Sequence, residues 1–252
     1  MITEAQKERF ARLCEEEAEN PSAPRGIGTY GEKRLHRILK RYFSETEEQT
    51  EVAVGPYVAD VKIGNRIVEI QTGSLRPLAE KLRYYLDKTE CHVTVACPIL
   101  AKHLLIRMDR ETGEVLHKRR SSRPGRPTDL LPELYWLRDL LPNERLTLLI
   151  LSVGAEEFRY SERVRYRREG AYEAELFPRE LLEDYAMTER GEYEIYLPEA
   201  ESFTAAEYAS CVRLRGRQAN FGLQALCAME LLERELVGRK YLYRRKEKDT
   251  LA

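Results

Sequence analysis

The chain has 252 residues, of which 42% are hydrophobic, and its formal net charge is −1. This length suits one large or two ordinary domains, and the near-zero charge excludes a uniformly basic surface. No apolar stretch approaches the ~20 residues of a membrane span, and residues 1–20 are charged throughout, so we expect neither membrane insertion nor a signal peptide. Five cysteines at irregular spacing argue against a disulfide framework and favour a reducing, cytoplasmic location.

The first hundred residues predict helices and strands in alternation. Thr3 and Gln6 form the pattern of a capping box, which opens a predicted helix over residues 3–19. After a loop at 21–27, apolar residues at helical spacing predict a second helix over 29–43. The elements that follow are a strand at 51–58, a hairpin at 58–71, a helix with Ser74 as N-cap and its stripe at Leu75, Leu78, Ala79, Leu82 and Leu86, and a strand at 92–97 closed by Pro98.

The hairpin places two carboxylates opposite each other. Gly64-Asn65 is a two-residue turn signal, and counting back from it pairs Asp60 with Glu69. One face carries the expected core, namely Ala59, Val61, Ile63, Val68 and Ile70, and the other carries Asp60, Glu69 and Gln71 with Val58, Lys62 and Ile67. Like charges in register are destabilising, and a divalent cation held between them removes that cost. The alternative is an exposed face on which Lys62 screens two unrelated acids.

Two further residues near this hairpin have charged side chains beside apolar stripes. Glu32 precedes Leu35 by three residues, on the buried side of the second helix, where an unpaired carboxylate needs a partner or a metal. The alternative is a solvated first-turn glutamate that the helix dipole favours. Lys81 borders the stripe of the third helix, from which it can reach back to the end of the hairpin strand.

The order helix, strand, hairpin, helix, strand, with Glu32, Asp60 and Glu69-Ile-Gln71 in these places, resembles the PD-(D/E)XK nuclease superfamily over about residues 28–100. The resemblance implies a restriction-endonuclease-like α/β fold, a three-layer core with a mixed central sheet. It matches Glu32 to the helix acid, Asp60 to the strand aspartate and Glu69 to the glutamate of Glu-x-Lys. Gln71 stands where lysine is usual, and Lys81 is the candidate for a migrated lysine. It also implies Mg²⁺ or Mn²⁺, held by Asp60, Glu69 and the Ile70 carbonyl.

The middle of the chain predicts further β structure and one basic segment. Strand-like residues 104–109 and 115–120 flank a turn, and a flexible basic loop spans residues 118–126. We expect this loop to contact phosphate through Lys118, Arg119, Arg120 and Arg123. The remaining predictions are a helix at 130–140, a strand at 146–153, basic β structure at 154–175 and a short helix at 177–185.

The C-terminal residues resemble a winged helix-turn-helix over about 178–246. A capping box at Thr204 and Glu207 opens a helix that ends near Val212, and a turn leads to a second helix over 215–230. Its expected inward residues are Ala219, Leu223, Leu226 and Met229, and Gly222 suits close packing. A hairpin over 236–245 turns at Gly238. The resemblance implies that the helix reads bases and the hairpin contacts the backbone, through Arg215, Arg217, Gln218, Asn220, Gln224, Arg239, Lys240 and Arg244. The alternative is a module used for dimerisation or for packing on the core.

These expectations combine into a two-domain hypothesis, with a nuclease-like domain at 1–175 and a winged helix-turn-helix domain at 176–252. The function that the resemblance implies is a metal-dependent DNA endonuclease. The alternative is an inactive nuclease-fold protein that binds DNA or regulates, for which Gln71 is the supporting feature. The basic segments report phosphate and not sugar, so RNA stays open as a substrate. A homodimer is compatible, because cutting both strands needs two sites.

Overall fold

A seven-stranded mixed sheet lies at the centre of the described residues. The computed structural model describes residues 2–19, 30–161 and 173–246, and the side chains of residues 30–33, 161 and 173 fall outside that description. The helices are α1 (Glu4–Glu19), α2 (Tyr30–Phe43), α3 (Ala79–Lys88), α4 (Ala205–Val212) and α5 (Gly216–Ala228). The strands are β1 (Thr50–Val54), β2 (Tyr57–Ile63), β3 (Arg66–Ile70), β4 (His92–Asp109), β5 (Val115–Arg120), β6 (Leu146–Ser161), β7 (Glu173–Met187), β8 (Ser202–Thr204), β9 (Leu232–Val237) and β10 (Lys240–Arg245).

The strand order of the main sheet is β1-β2-β3-β4-β6-β7, and β5 pairs with the distal half of β4. The first three strands form an antiparallel meander, β4 runs parallel to β3 and β6, and β7 returns antiparallel to β6. Helices α1 and α2 cover one face through an apolar cluster that includes Phe10, Ile38 and Val61. The opposite face is covered by α3 and the C-terminal elements. The expected α/β class with a mixed central sheet is therefore confirmed.

The predicted hairpin at 58–71 is confirmed, with the pairs Ile63↔Arg66 and Val61↔Val68 around its turn. The expectation of one core face is wrong in detail, because helices cover both faces of the sheet. Ile67 and Val68 are both buried, on opposite faces of β3. Ala59 packs in the cluster of Ile67, away from the cluster that holds Val61.

The predicted strand at 51–58 contains a second tight turn, at Gly55-Pro56, which separates β1 from β2. Gly55 has a φ of +60°, and a Cβ there would lie 2.0 Å from the Tyr84 hydroxyl oxygen. Glycine is therefore required both by the backbone conformation and by the close approach of the tyrosine.

The prediction that Pro98 ends the central strand is wrong, because β4 continues through it to Asp109. The Ala96 carbonyl accepts a hydrogen bond from the Gln71 N–H at 2.9 Å, on the β3 side. Pro98 lies two residues further on, at the same edge, where β3 has already ended at Ile70. Its missing N–H therefore removes no ladder hydrogen bond.

The structure places residues 177–185 in a strand, where the sequence predicted a short helix. They belong to β7, and two bulges in its pairing with β6 disturb strict alternation. Phe177 and Leu181 lie four residues apart, a spacing that fits one face of a strand as well as one face of a helix. The predicted domain division between residues 175 and 176 falls inside this strand, so the C-terminal part begins after Met187.

Two other helix predictions need correction. The third helix does not begin directly after Ser74: a 3-10 turn at Arg76–Leu78 leads into α3, and the Ser74 hydroxyl accepts the Arg76 N–H at 3.3 Å at the start of that turn. The leucines of the expected stripe are buried, and Ala79 is half-buried. The predicted helix at 130–140 is instead a pair of 3-10 turns, Pro127–Leu130 and Glu133–Trp136. Pro132 lies between these turns, and its missing N–H interrupts helical hydrogen bonding there.

The C-terminal elements follow the expected order of helix, turn, helix and hairpin. The capping box of Thr204 and Glu207 opens α4, and the expected inward residues of α5 are all buried. Strands β8, β10 and β9 form a separate three-stranded sheet. A Cβ on Gly222 would lie 2.5 Å from Leu131 Cγ, so glycine lets α5 pack closely on the 3-10 turns of the main part.

Candidate functional site

Asp60 is the best-anchored acid of the hairpin. Its Oδ2 accepts the Ile70 backbone N–H at 2.8 Å and lies 3.3 Å from Nε2 of His36. Its Oδ1 lies 3.1 Å from Nζ of Lys40, and both side-chain partners, His36 and Lys40, come from α2. Burial alone would raise the pKa of Asp60, but the contacts with His36, the Ile70 N–H and Lys40 lower it to about 2. Asp60 is therefore ionised throughout the neutral range.

Glu69 is buried on β3, the next strand, and its partners come from α3. Lys81 Nζ lies 2.5 Å from Oε2, and the Tyr85 hydroxyl donates to Oε1 at 3.2 Å. Burial raises the pKa of Glu69, Lys81 opposes that rise, and the charge of Asp60 adds to it. The expectation that Lys81 reaches back to the end of the strand is therefore met by the geometry.

The backbone of Ile70 contributes to the edge that Asp60 occupies. The N–H and C=O of one strand residue point to the same edge, and the Ile70 N–H points to Asp60. The Ile70 carbonyl therefore lies on the Asp60 side of β3. Gln71 is directed elsewhere, because its side-chain amide donates to the Ser74 carbonyl at 2.8 Å.

The residues Glu32, His36 and Lys40 follow one another at intervals of four along α2. The expected helix acid, Glu32, lies in the first turn of α2, and its side chain lies outside the described part of the chain. Sequence reasoning missed His36 and Lys40 as partners of Asp60. The sequence contained a signal for them, because residues four apart share a helix face, and His36 and Lys40 follow Glu32 at intervals of four.

The donor set at the two strands suits a hard divalent cation. Two carboxylates and one backbone carbonyl are oxygen ligands of the kind that Mg²⁺ and Mn²⁺ prefer. Among the side chains that the structure describes, no group of three histidine, cysteine or acidic residues forms a metal-binding cluster. A metal here would therefore use Asp60, Glu69 and the Ile70 carbonyl, with Glu32 as the expected fourth residue.

Lys40 has a second acidic partner beside the hairpin. It contacts Glu51 of β1 as well as Asp60, and Glu51 has a φ of 53°, which is unusual for a residue other than glycine. Burial lowers the pKa of Lys40, whereas its contacts with Glu51 and Asp60 raise it, and the net direction is upward. Lys40 therefore carries a positive charge at neutral pH, shared between two carboxylates.

The expected nucleic-acid-binding residues lie on two separate surfaces. Lys118, Arg119 and Arg120 belong to the exposed strand β5, so the predicted flexible loop is partly regular, and Arg123 lies in the connection that follows. The second surface is formed by α5 and the β9–β10 hairpin, where the exposed members are Arg215, Arg217, Gln218, Asn220, Gln224, Arg239, Lys240 and Arg244.

A cleft of about 500 Å³ lies between α5 and the β9–β10 hairpin. Asn220 and Gln224 of α5 line one wall, and Arg234, Lys240 and Tyr241 line the other. The guanidinium of Arg234 stacks over the Tyr241 ring at 4.9 Å. Amide, cationic and aromatic groups thus face one another across an open groove.

The described part of the chain contains no helix that is both long and apolar enough to cross a membrane. Its fold and site define a mixed α/β protein in which two carboxylates, Asp60 and Glu69, lie on neighbouring strands of an antiparallel meander. A family model described as Domain of unknown function (DUF8091) matches residues 33–188, and the chain belongs to that family. The match runs from the start of α2 to the end of β7, so it contains Asp60, Glu69 and Lys81.

A relative from Treponema pallidum (strain Nichols), described as an uncharacterized protein, is similar to part of this chain. The two are 36% identical over 138 residues, which cover 54% of this chain and 54% of the relative. The chain therefore spans about half the length of that relative. No solved structure matches the chain.

Proposed function

We propose that the protein is a metal-dependent DNA endonuclease with a restriction-endonuclease-like core and a C-terminal winged helix-turn-helix module. One observation carries the proposal: Asp60 lies on β2 and Glu69 lies near the end of the neighbouring strand β3, and a lysine from the following helix contacts Glu69 at 2.5 Å. This arrangement supports the pattern of acid, acid and migrated lysine that the sequence resembles. The order of α2, the β1–β2–β3 meander, α3 and parallel β4 supports it as well.

The chain's own groups have separable roles in this proposal. Asp60, Glu69 and the Ile70 carbonyl would hold Mg²⁺ or Mn²⁺, which when bound would supply a more acidic water and neutralise charge on the phosphate. Lys81 opposes the rise in the pKa of Glu69 that burial causes, because its positive charge favours the carboxylate form. Lys81 also places a positive charge where the attacked phosphate develops negative charge.

The C-terminal module supports DNA as the target. Its helix-turn-helix and hairpin present arginine, asparagine and glutamine side chains, which are suited to base edges and phosphates. Arg217, Asn220 and Gln224 are exposed on α5, and Asn220 and Gln224 face the cleft towards the hairpin. In this proposal α5 gives affinity and the paired carboxylates give cleavage.

The test is a cleavage assay on supercoiled, linear and branched DNA with Mg²⁺, Mn²⁺ or EDTA. The variant Asp60→Asn keeps an oxygen acceptor for the Ile70 N–H but removes the charge. Asp87→Asn is the matched control, because Asp87 is an exposed acid on α3. We expect metal-dependent cutting by the wild type and by Asp87→Asn, loss of cutting in Asp60→Asn, and retained DNA binding in all three. Full activity of Asp60→Asn would refute the site.

One observation favours the second candidate, a DNA-binding or regulatory protein on an inactive nuclease fold. Both carboxylates are already neutralised by cationic side chains, Asp60 by Lys40 and Glu69 by Lys81. A degenerate site of this kind needs no metal for its stability. Retained DNA binding without cutting in any metal would favour this candidate and make the C-terminal module the functional half.

A further inference from the structure

An aromatic ladder connects the 3-10 turn of Glu133–Trp136 to helix α5. We define it by Trp136, Tyr135 and Phe221, with Arg76 and Arg217 at its two ends. The ring centroids of Tyr135 and Phe221 are 4.9 Å apart, and those of Trp136 and Phe221 are 6.4 Å apart. The Arg76 guanidinium lies 4.8 Å from the Trp136 ring centre, and that of Arg217 lies 5.7 Å from the Phe221 ring centre.

The ladder is partly exposed, and a positively charged side chain lies at each of its ends. Its three rings are half-buried, and both end arginines are exposed. Among the described residues, neither Arg76 nor Arg217 forms an ion pair with an acidic side chain. If the ladder only packed two parts of the protein together, it would not need guanidinium groups without ion pairs at both of its ends. A polyanion with flat, stackable groups complements this surface in charge and in shape.

Hydrogen bonds tie the ladder to the candidate site. Gln71 follows the strand of Glu69 and donates to the Ser74 carbonyl, and the Ser74 hydroxyl donates to Glu133 at 2.7 Å. The Leu75 N–H donates to the same Glu133 oxygen at 2.9 Å. Glu133 and Trp136 belong to one 3-10 turn. The ladder therefore begins beside the end of β3 and leads from there to α5.

Close packing holds the two sides of the ladder in register. Gly222, next to Phe221, lies against Leu131, and the absence of a side chain allows that contact. Trp136 and Phe221 belong to different parts of the fold, yet their separation is set by this contact. Such a preformed surface can bind a ligand at little ordering cost.

We propose that the aromatic ladder is a binding platform for unpaired DNA bases beside the candidate site. This proposal rests on the DNA-directed function above and narrows it to substrates that have a single-stranded segment. Bases extend the ladder by stacking on the planes of Arg76 and Arg217, which cover the rings of Trp136 and Phe221, and the arginines also contact phosphates. Such stacking is tolerant of sequence, because every base has a π face.

The chain contains one tryptophan, which makes its fluorescence a local reporter of the ladder. The experiment titrates wild-type protein in EDTA with an oligothymidine of about 12 nucleotides, within the usual range of single-strand sites. An abasic strand of equal length and charge and a blunt duplex serve as matched ligands. A terminal dye on each ligand reports total binding by anisotropy in the same titration.

We expect oligothymidine to quench Trp136 and to bind at least about fivefold more tightly than the abasic strand, as base stacking requires. Arg76→Gln should weaken oligothymidine binding about threefold, whereas Arg83→Gln, an exposed arginine of α3, should leave it unchanged. Phe221→Leu keeps an apolar side chain but removes a ring, and it should reduce the preference for bases over abasic sites.

Three results would overturn the proposal. They are binding without any change in Trp136 fluorescence, equal affinity for the oligothymidine and abasic strands, and a stronger response to the blunt duplex. Because EDTA prevents metal-dependent cutting, none of these depends on catalysis. If the protein cuts duplex DNA but fails this titration, only the ladder proposal is refuted. If it passes the titration without cutting DNA, only the nuclease function is refuted.

Discussion

The two charged regions of this protein differ in the burial of their charged side chains. Asp60 on β2 and Glu69 near the end of β3 are largely buried, and each contacts a lysine. On α5 and the β9–β10 hairpin, the charged and amide side chains are exposed and face an open cleft. Buried carboxylates with fixed partners suit a small cation, whereas exposed cationic side chains suit a long polyanion. The buried carboxylates therefore suit the proposed cleavage, and the exposed surface suits the proposed DNA binding.

The largest expected effect comes from replacing Lys81, which tests whether cleavage can be lost without loss of DNA affinity. Lys81→Met should lower metal-dependent cleavage about 100-fold and leave DNA affinity unchanged, because a positive charge next to Glu69 is lost. Gln71→Ala is the comparison, since the Gln71 amide is directed to the Ser74 carbonyl, and it should cost less than about tenfold. Single-turnover cleavage rates measure both. Equal losses in the two variants would contradict the role given to Lys81.

The contact that joins the two regions can be broken at Gly222. Gly222→Val forces a side chain into Leu131, and it should lower the free energy of unfolding by about 2 kcal/mol. Gly216→Ala is the matched control, because no atom lies within 4 Å of a Cβ at that position. Urea unfolding compares the two variants. An unchanged stability of Gly222→Val would show that α5 does not pack on the main part as described.

Removing amide groups from α5 should weaken DNA binding and leave the cleavage rate unchanged, whereas changing the carboxylates should do the opposite. The double variant Asn220→Ala, Gln224→Ala should weaken DNA binding about tenfold, because each amide can make a bidentate contact to a base. At saturating DNA concentration its cleavage rate should equal that of the wild type. Fluorescence anisotropy and single-turnover rates give the two quantities. Unchanged affinity would remove α5 from the nucleic-acid interface.

How far the sequence predicted these regions depends on how local their determinants are. The Gly64-Asn65 turn and the four-residue repeat of Ala219 and Leu223 are local signals, and both predictions were confirmed. The Lys81 contact followed from the position of that residue on an apolar stripe. Strand β7 and the passage of β4 through Pro98 could not be predicted, because bulges and an unpaired sheet edge decide them. These features depend on neighbours that are distant in sequence.

The low pKa of Asp60 should make a small, pH-dependent contribution to the free energy of unfolding. Its folded pKa of about 2 lies below the ordinary value of 3.8, so the ionised group stabilises the fold above pH 4, and that contribution is lost as pH falls towards 2. Between about pH 6 and pH 3 the loss should amount to about 1 kcal/mol. Asp60→Asn cannot titrate, so its unfolding free energy should fall by that much less over the same interval. Parallel urea titrations of both proteins test this, and identical pH dependence would contradict the ion pair.

The smallest expected effect concerns Lys40, which neutralises Asp60 without metal. Lys40→Met removes a competing cation from the carboxylate and should raise the affinity for Mn²⁺ about threefold, as expected for a partly screened charge. Arg83→Met is the control for general charge, because Arg83 is exposed on α3. Calorimetric titrations at one ionic strength compare them. A lower affinity in Lys40→Met would show that Lys40 supports the metal site instead of competing with it.

The most direct test of the account is a calorimetric titration of the wild type and of Asp60→Asn with Mn²⁺ at neutral pH. We expect the wild type to bind Mn²⁺ at one site per chain and Asp60→Asn to lose that binding, while Asp87→Asn retains it. Absence of binding in the wild type would contradict the metal site, and it would leave a protein whose paired carboxylates are structural and whose C-terminal module carries the function.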